Sequence, residues 1–451
     1  MTTKNILYSL LSVLLGCHIL TTMTSCDSFL DITPTGMVIA TTGAEYRAML
    51  TKEYDAFPSD RYKTSIRTDE VTYTPDKVKA NSELENYLDL WRWKDEDPSS
   101  TTLTFENWTQ YYHAIYVSNY IIEHQNDIVE ISAEDKAQLV GEAYMMRGYC
   151  HFLLVNLYAE AYTHCTPSKT RGVPIMLEAN VNAVPRSSSV EAVYQQVLAD
   201  VITAEDMMNK TSWEEGYNYR FNKTSATALL ARTYLYMGKW QEALTAAKKV
   251  IASHGDLVDL VNGTILPDNY KSVENIVALE KLNADLKSGI EAYPNTDFIA
   301  RYKSGDGRRL KYFRRPNSTT WALQKTDGYC SFRSAEAYLT AAEAACQMGN
   351  TTGAIDDYMK PLLQKRLSAA LYATTISNIE AMTQAQLLQE IYDERARELA
   401  FEGHRWYDLR RTTQESLTRT YGGQTYTLTP EKYTIRFPSV AVEANPEIEI
   451  W

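Results

Sequence analysis

Between Asp393 and Arg411 the chain reads DERARELAFEGHRWYDLRR, with carboxylates and guanidiniums set at helical intervals. Two carboxylates facing each other across a cleft are what glycoside hydrolysis needs, one protonating the leaving oxygen while the other acts as base or nucleophile. Here Glu394, Glu398 and Glu402 instead recur every fourth residue beside Arg395, Arg397 and Arg405, the spacing of ion pairs along a helix. At about 100° per residue, Leu388, Ile391, Arg395, Leu399, Glu402 and Trp406 share one face. Arg395 and Glu402 therefore fall inside an apolar stripe. A buried charge is costly unless paired and hydrogen-bonded, so both are expected to be structural struts with fixed partners.

Other catalytic chemistry finds little footing. The chain has no GxSxG elbow, no HExxH, no P-loop and no GxGxxG. Cys150-His151 and His164-Cys165 invite a zinc reading, but no CxxC or HxxxH spacing accompanies them. A buried helical thiol and a loop cysteine account for both pairs, and no catalytic residue, metal or cofactor is expected. With Cys330 and Cys346 these thiols do not form a disulfide framework of recognisable spacing, and their redox state stays open.

The formal charge of −12 and the lack of a basic stripe argue against nucleic acid as a partner. Basic residues do cluster at Arg308-Arg309 and Arg314-Arg315, as one loop. Tyrosine outnumbers phenylalanine 32 to 10. A core gains little from the extra hydroxyl, whereas a wet recognition surface gains an apolar ring with a hydrogen-bonding edge.

The first 25 residues read as a leader: Lys4, then a mostly apolar Ile6 to Leu20, then Thr21 to Ser25 before Cys26. The apolar run is about 15 residues, short of the roughly 20 that span a bilayer. Met23-Thr24-Ser25-Cys26 has the form of a lipobox, with Cys26 as the lipidation site. Leu14-Leu15-Gly16-Cys17 competes, but cleavage there would leave Ile19 and Leu20 exposed on the mature chain. Membrane attachment is thus expected through acyl chains alone, at about 0.8 kcal/mol per buried CH₂.

The rest, 26–451, is expected to form a single, mainly α domain with a few short strands. Leu230, Ala231, Tyr234, Gly238 and Ala243 follow tetratricopeptide spacing, and so do Tyr338, Ala342, Gly349, Ala354 and Tyr358. Small residues let paired helices approach closely, and glycine at the turn ends the first helix in a left-handed cap. Helix pairs are expected near 133–209, 224–253, 335–366 and 384–412. They are not contiguous, so long insertions must separate them, and 54–110, 210–222 and 255–332 are the loop-rich stretches.

The Asp393–Arg411 motif closely resembles the C-terminal signature of the SusD-like (SusD/RagB) outer-membrane nutrient-binding lipoproteins of Bacteroidetes. Trp108, Tyr112, Ile115 and Asn119 resemble that family's W…Y…I…N segment, and SVENIVALE, Ser272 to Glu280, its acidic-headed strand. Asp306-Gly307-Arg308-Arg309 is similar to its Asp-x-Arg loop. Cys26 followed by Phe29-Leu30-Asp31 looks like its mature N-terminus, and Pro438, Glu443, Asn445 and Pro446 match its ending, although Arg436-Phe437-Pro438 replaces the usual Pro-Ile-Pro. The resemblance implies a tetratricopeptide-like helix-pair scaffold carrying a ligand face on its insertions. It also implies a lipid-anchored, surface-exposed protein that binds an oligosaccharide and closes as a lid over a SusC-like TonB-dependent transporter. Peptides or another non-glycan nutrient on the same fold, as in RagB-like members, and a surface glycoside hydrolase are the alternatives.

Glycan recognition calls for flat rings stacked on sugar faces with polar groups beside them. The loop aromatics that fit are Trp91 and Trp93 before the first pair, Trp213 and Tyr217 with Tyr219 ahead of Arg220, and Tyr293, Tyr302 and Trp321 in the long insertion. By resemblance Trp93 and Trp321 hold the positions of stacking residues. Arg67, Asp69, Asn295 and Arg301 are polar residues of the same loops.

Overall fold

The computed structural model describes residues 40–73, 82–94, 107–282, 292–316, 318, 321–325 and 328–449. Cys26 and the expected leader lie outside these residues. Helix starts are set locally. Ser132 caps Ala133–Tyr158 and Ser189 caps Val190–Met207, each accepting a backbone N–H three residues on. Asn222 with Ser225, and Thr383 with Gln386, form reciprocal capping boxes ahead of Lys223–Tyr236 and Gln384–Glu398. Gly238 at φ 70° and Gly349 at φ 83° end the first helix of each repeat, in the left-handed region where a side chain would be strained.

The protein is mostly helical, and its helices stack in a row. Trp108–Glu123 packs on Ala133–Tyr158, then Val190–Met207, Lys223–Tyr236, Trp240–His254, Ser334–Gln347 and Gln384–Glu398 follow, each against the next. Ala231, Ala243, Ala342 and Ala354 are buried at the close approaches. The two tetratricopeptide pairs, far apart in sequence, are neighbours in space, because Trp240–His254 packs directly on Ser334–Gln347. The insertion between them carries small antiparallel ladders. Val71–Tyr73 pairs with Ala292–Pro294, Asn275–Val277 with Phe332–Arg333, and Phe313–Arg314 with Ala322–Leu323. A further hairpin, Thr418–Tyr421 with Gln424–Thr427, turns through Gly422-Gly423, both at positive φ.

The opening motif is not one helix. Gln384–Glu398 stops at Glu398, the chain reverses through Phe401 (φ 59°) and Gly403 (φ 74°), and Arg405–Arg411 begins a new helix. The turn is held by buried groups from elsewhere. Glu70 accepts the Phe401 N–H at 2.7 Å, and Arg61 donates to the Glu402 carbonyl. A Cβ on Gly403 would lie 2.8 Å from the Arg61 Cβ, so both backbone conformation and space demand glycine there.

Around this turn lies a buried ion lattice. Arg366 donates to Glu398 from Nε and Nη2, at 2.9 and 2.8 Å, and Arg333 and Arg308 reach the same carboxylate at 2.8 and 3.0 Å. Glu274 bridges Arg333 and Arg366, Glu394 pairs with Arg308 and Arg397, and Asp306 pairs with Arg308. Glu402 accepts from Arg333 Nε and Nη2, at 2.8 and 3.0 Å, and from Lys325. Glu402 is thus paired as its place in the stripe requires. Arg395 is less completely held: Nε donates to Asp408 at 3.1 Å, while Nη1 and Nη2 find no protein partner. Its neighbour Arg411 forks onto Glu343 at 2.5 and 2.7 Å.

Burial alone would raise the Glu398 and Glu402 carboxyls. The guanidiniums of Arg366 and Arg333 outweigh it at Glu398, and Arg333 with Lys325 outweigh it at Glu402, so both sit below the ordinary value. Elsewhere burial prevails. It pushes Glu70 up to about 7 and Asp268 up to about 6, and it holds the imidazoles of His151 (about 3) and His404 low. His151 uses both ring nitrogens on backbone, Nδ1 at the Arg147 carbonyl and Nε2 at the Met176 N–H. The Cys150 thiol beside it is buried and free.

Removing one partner from a buried pair strands the other charge, at about 3–5 kcal/mol. Glu402→Ala should therefore lower the melting temperature strongly, while the fraction that remains folded keeps its ligand affinity; a normal melt with lost affinity would contradict the strut role. The pH dependence follows from signs. Raised carboxyls favour folding as pH falls from about 7 towards the ordinary 4.5, whereas depressed histidines oppose it below their ordinary 6.5. These offset one another. The lattice carboxylates contribute stability above 4.5 that is lost as pH falls through their lowered values. Urea melts across pH should be nearly level from 7 to about 5 and fall steeply below about 4.

Candidate ligand-binding surface

The long insertion builds a platform from two ladders. Tyr293 sits in Ala292–Pro294, opposite Thr72 of Val71–Tyr73. Trp321 immediately precedes Ala322–Leu323, the partner of Phe313–Arg314, and the two ladders touch. Beneath them Phe298, Tyr302, Phe313 and Phe401 pack edge to face at 5.4–6.3 Å. Tyr302 belongs to this floor and not to a ligand face: it is 2% exposed and its hydroxyl donates to the Arg397 carbonyl at 2.8 Å.

Trp321 is half-buried, and two guanidiniums lie over its ring, Arg309 at 5.8 Å and Arg315 at 5.6 Å. Cation–π contact holds the indole in place. Arg309 leads out of the ion lattice, being the neighbour of buried Arg308. The basic cluster was visible in the sequence; that it lies over Trp321 was not, because the contact depends on how the ladder folds back. Tyr293 is likewise half-buried.

Trp91 and Trp93 depart from expectation. They end a helix, Ser82–Arg92, rather than lying in an open loop. The Trp91 indole is 5% exposed, donates to the Val71 carbonyl at 3.0 Å and meets Tyr73 edge on. Trp93 is 1% exposed, donates to the Arg67 carbonyl at 2.9 Å and packs in a cluster with Trp406, Leu409, Leu428 and Tyr433. The Arg419 guanidinium covers both rings, at 4.9 and 4.1 Å, and its burial lowers its pKa to about 9. The C-terminal hairpin, distant in sequence, closes over these two tryptophans, and local reading could not foresee it.

Trp213 and Tyr217 form a second aromatic group. Arg220 lies over the rings of Trp213, Tyr217 and Tyr219 at 5.3, 4.6 and 5.5 Å, and Lys210 over Trp213 at 5.0 Å. Trp213 donates to the Phe221 carbonyl, and Tyr217 is 45% exposed. The polar loop residues hold structure. Arg67 stacks on Trp406, Asp69 pairs with Arg405 and Arg301, and Asn295 caps Thr296–Ile299.

Stacked helix pairs with small ladders on their insertions are a fold shared with known proteins. A sequence-family model described as "Starch-binding associating with outer membrane" matches residues 28–235, and one described as "SusD family" matches 189–444. The chain belongs to the SusD family. It is 23% identical to SusD-like protein P38 of Formosa agariphila, over 87% of this chain and 89% of that one. Among solved structures, a SusD superfamily protein of Bacteroides fragilis superposes with a TM-score of 0.76 at 21% identity, covering 91% of this chain and all of the other. Surface glycan-binding protein A of Bacteroides uniformis superposes at 0.73 with 17% identity, covering 90% and 99%.

The two tryptophans first grouped together should now separate. Trp93→Ala empties a core site and should cost about 3–5 kcal/mol in chemical denaturation. Trp321→Ala, at a half-buried ring, should change stability by less than about 1 kcal/mol.

Proposed function

We propose that this protein captures an oligosaccharide at the outer surface of the outer membrane, anchored by lipid at Cys26, and closes as a lid over a SusC-like TonB-dependent transporter. Membership of the SusD family supports the nutrient-binding role. The observation that carries the site is Trp321 with its flanking arginines. A sugar ring stacks its C–H face on an indole, and guanidinium N–H groups beside it donate to hydroxyls. Tyr293, on the neighbouring ladder, extends the surface, and the Trp213–Tyr217 group is a further aromatic candidate. Among the described residues no helix is long and apolar enough to cross a membrane, which accords with attachment by acyl chains.

Binding without chemistry fits the carboxylates of the signature. Glu394, Glu398 and Glu402 are each held by cations in the lattice, and none is left to act as an acid beside Trp321. Differential affinity is then the whole of the mechanism: ligand enclosed between lid and barrel, and released inward.

Calorimetry against a panel of oligosaccharides and peptides tests this. A glycan should bind, Trp321→Ala should weaken it at least about tenfold, and long incubation should yield no cleavage product. Peptide binding with no glycan binding would replace the ligand class, a released product would make the protein a hydrolase, and undiminished affinity in Trp321→Ala would move the site.

A further inference from the structure

Away from the insertion platform, a cleft of about 670 Å³ opens between Trp108–Glu123, the 174–185 loop and the short helix Ser439–Ala444. Its volume falls in the roughly 300–1,000 Å³ range of small-molecule sites. Trp108, Tyr112 and Tyr116 line it from successive turns of one helix face, opposite Met176, Val181 and Val440. Val181 is 78% exposed and Val440 64%, so the cleft presents apolar surface to water.

Its polar lining is largely engaged already. The Tyr112 hydroxyl donates to the Pro174 carbonyl at 2.9 Å. Asn119 donates to the Met176 and Glu178 carbonyls and accepts from Arg147. Asn445 donates to the Pro185 carbonyl and accepts from Glu447 N–H. Thr109, Tyr116, Asn180 and Glu178 complete the polar lining, and the wall between these groups is apolar. The ionisable residues lining the cleft are His113 and Glu178, and His113 Nδ1 lies 2.9 Å from the Glu53 carboxylate. Glu178, an exposed residue, supplies the carboxylate of the lining.

The geometry points to a second binding site, separate from the glycan surface, that takes a largely apolar small molecule bearing a positively charged end. Aromatic rings and aliphatic side chains receive the body, and Glu178 with the ring faces receives the cation. This inference does not depend on the glycan reading.

The test uses the full chain made non-lipidated by Cys26→Ser, so that no detergent competes. Fluorescence titration with N-phenyl-1-naphthylamine should saturate. 2-(1-Naphthyl)ethylamine should displace it at concentrations about fivefold lower than 1-naphthylacetate, which differs in the sign of its charge, and Glu178→Gln should bring the two within about twofold. Ala444→Trp, which fills the cleft, should weaken the probe at least about tenfold while leaving the glycan isotherm unchanged. Should that variant fail to fold, Tyr116→Ala serves as the second test, with the same loss of probe expected. Equal displacement by amine and acid would overturn the proposal, and so would undiminished probe binding in a folded Ala444→Trp or Tyr116→Ala.

Discussion

Glu398 accepts hydrogen bonds from three arginines that come from three separate places in the chain: Arg308 in the insertion, Arg333 at the start of a repeat helix, and Arg366 after that repeat's second helix. Each brings further carboxylates, Asp306, Glu274 and Glu394 among them, so that cations and anions balance within a buried interior. Desolvating such groups is expensive, and their mutual attraction roughly offsets the cost. What the lattice secures is register. A fixed fork of donors facing a planar carboxylate tolerates little displacement, and the insertion, the second repeat and the signature turn are all held to one geometry by it.

That geometry reaches the candidate glycan surface within a residue or two. Arg308 points into the lattice while Arg309 lies over Trp321. Lys325, four residues beyond Trp321, is buried against Glu402. The signature motif does not touch the Trp321 ring, yet both ends of the segment that carries the ring are tied to it. The charged stretch that identifies the family also serves as the footing of the segment that carries Trp321.

The Trp321 platform and the Trp108 cleft differ in what their polar groups are free to do. Around Trp321 guanidiniums stand beside a partly open ring. In the Trp108 cleft, asparagines and a tyrosine hydroxyl are bonded back to backbone carbonyls and leave an apolar wall. Stacking rings occur at both, so the presence of aromatics alone does not distinguish a sugar site from a hydrophobic one. The hydrogen-bonding capacity left over does.

Much of this was legible in the chain. The left-handed turns at Gly238 and Gly349 and the need of Glu402 for a buried partner follow from local backbone chemistry and helical period. The mainly helical architecture and the SusD resemblance followed from motifs. The fate of Trp91, Trp93 and Tyr302 did not, because an exposed loop aromatic and one covered by a distant hairpin have the same local sequence. The break between two helices within 384–412 was expected, but its hold by Glu70, from the other end of the chain, on the Phe401 N–H was not. The sequence by itself determined which segments are helices and which charges must be paired, since those depend on neighbours within a few residues. Tertiary structure decided which rings remain open and which cations meet which carboxylates, since burial and ion pairing depend on segments that come together only when the whole row of helices is assembled.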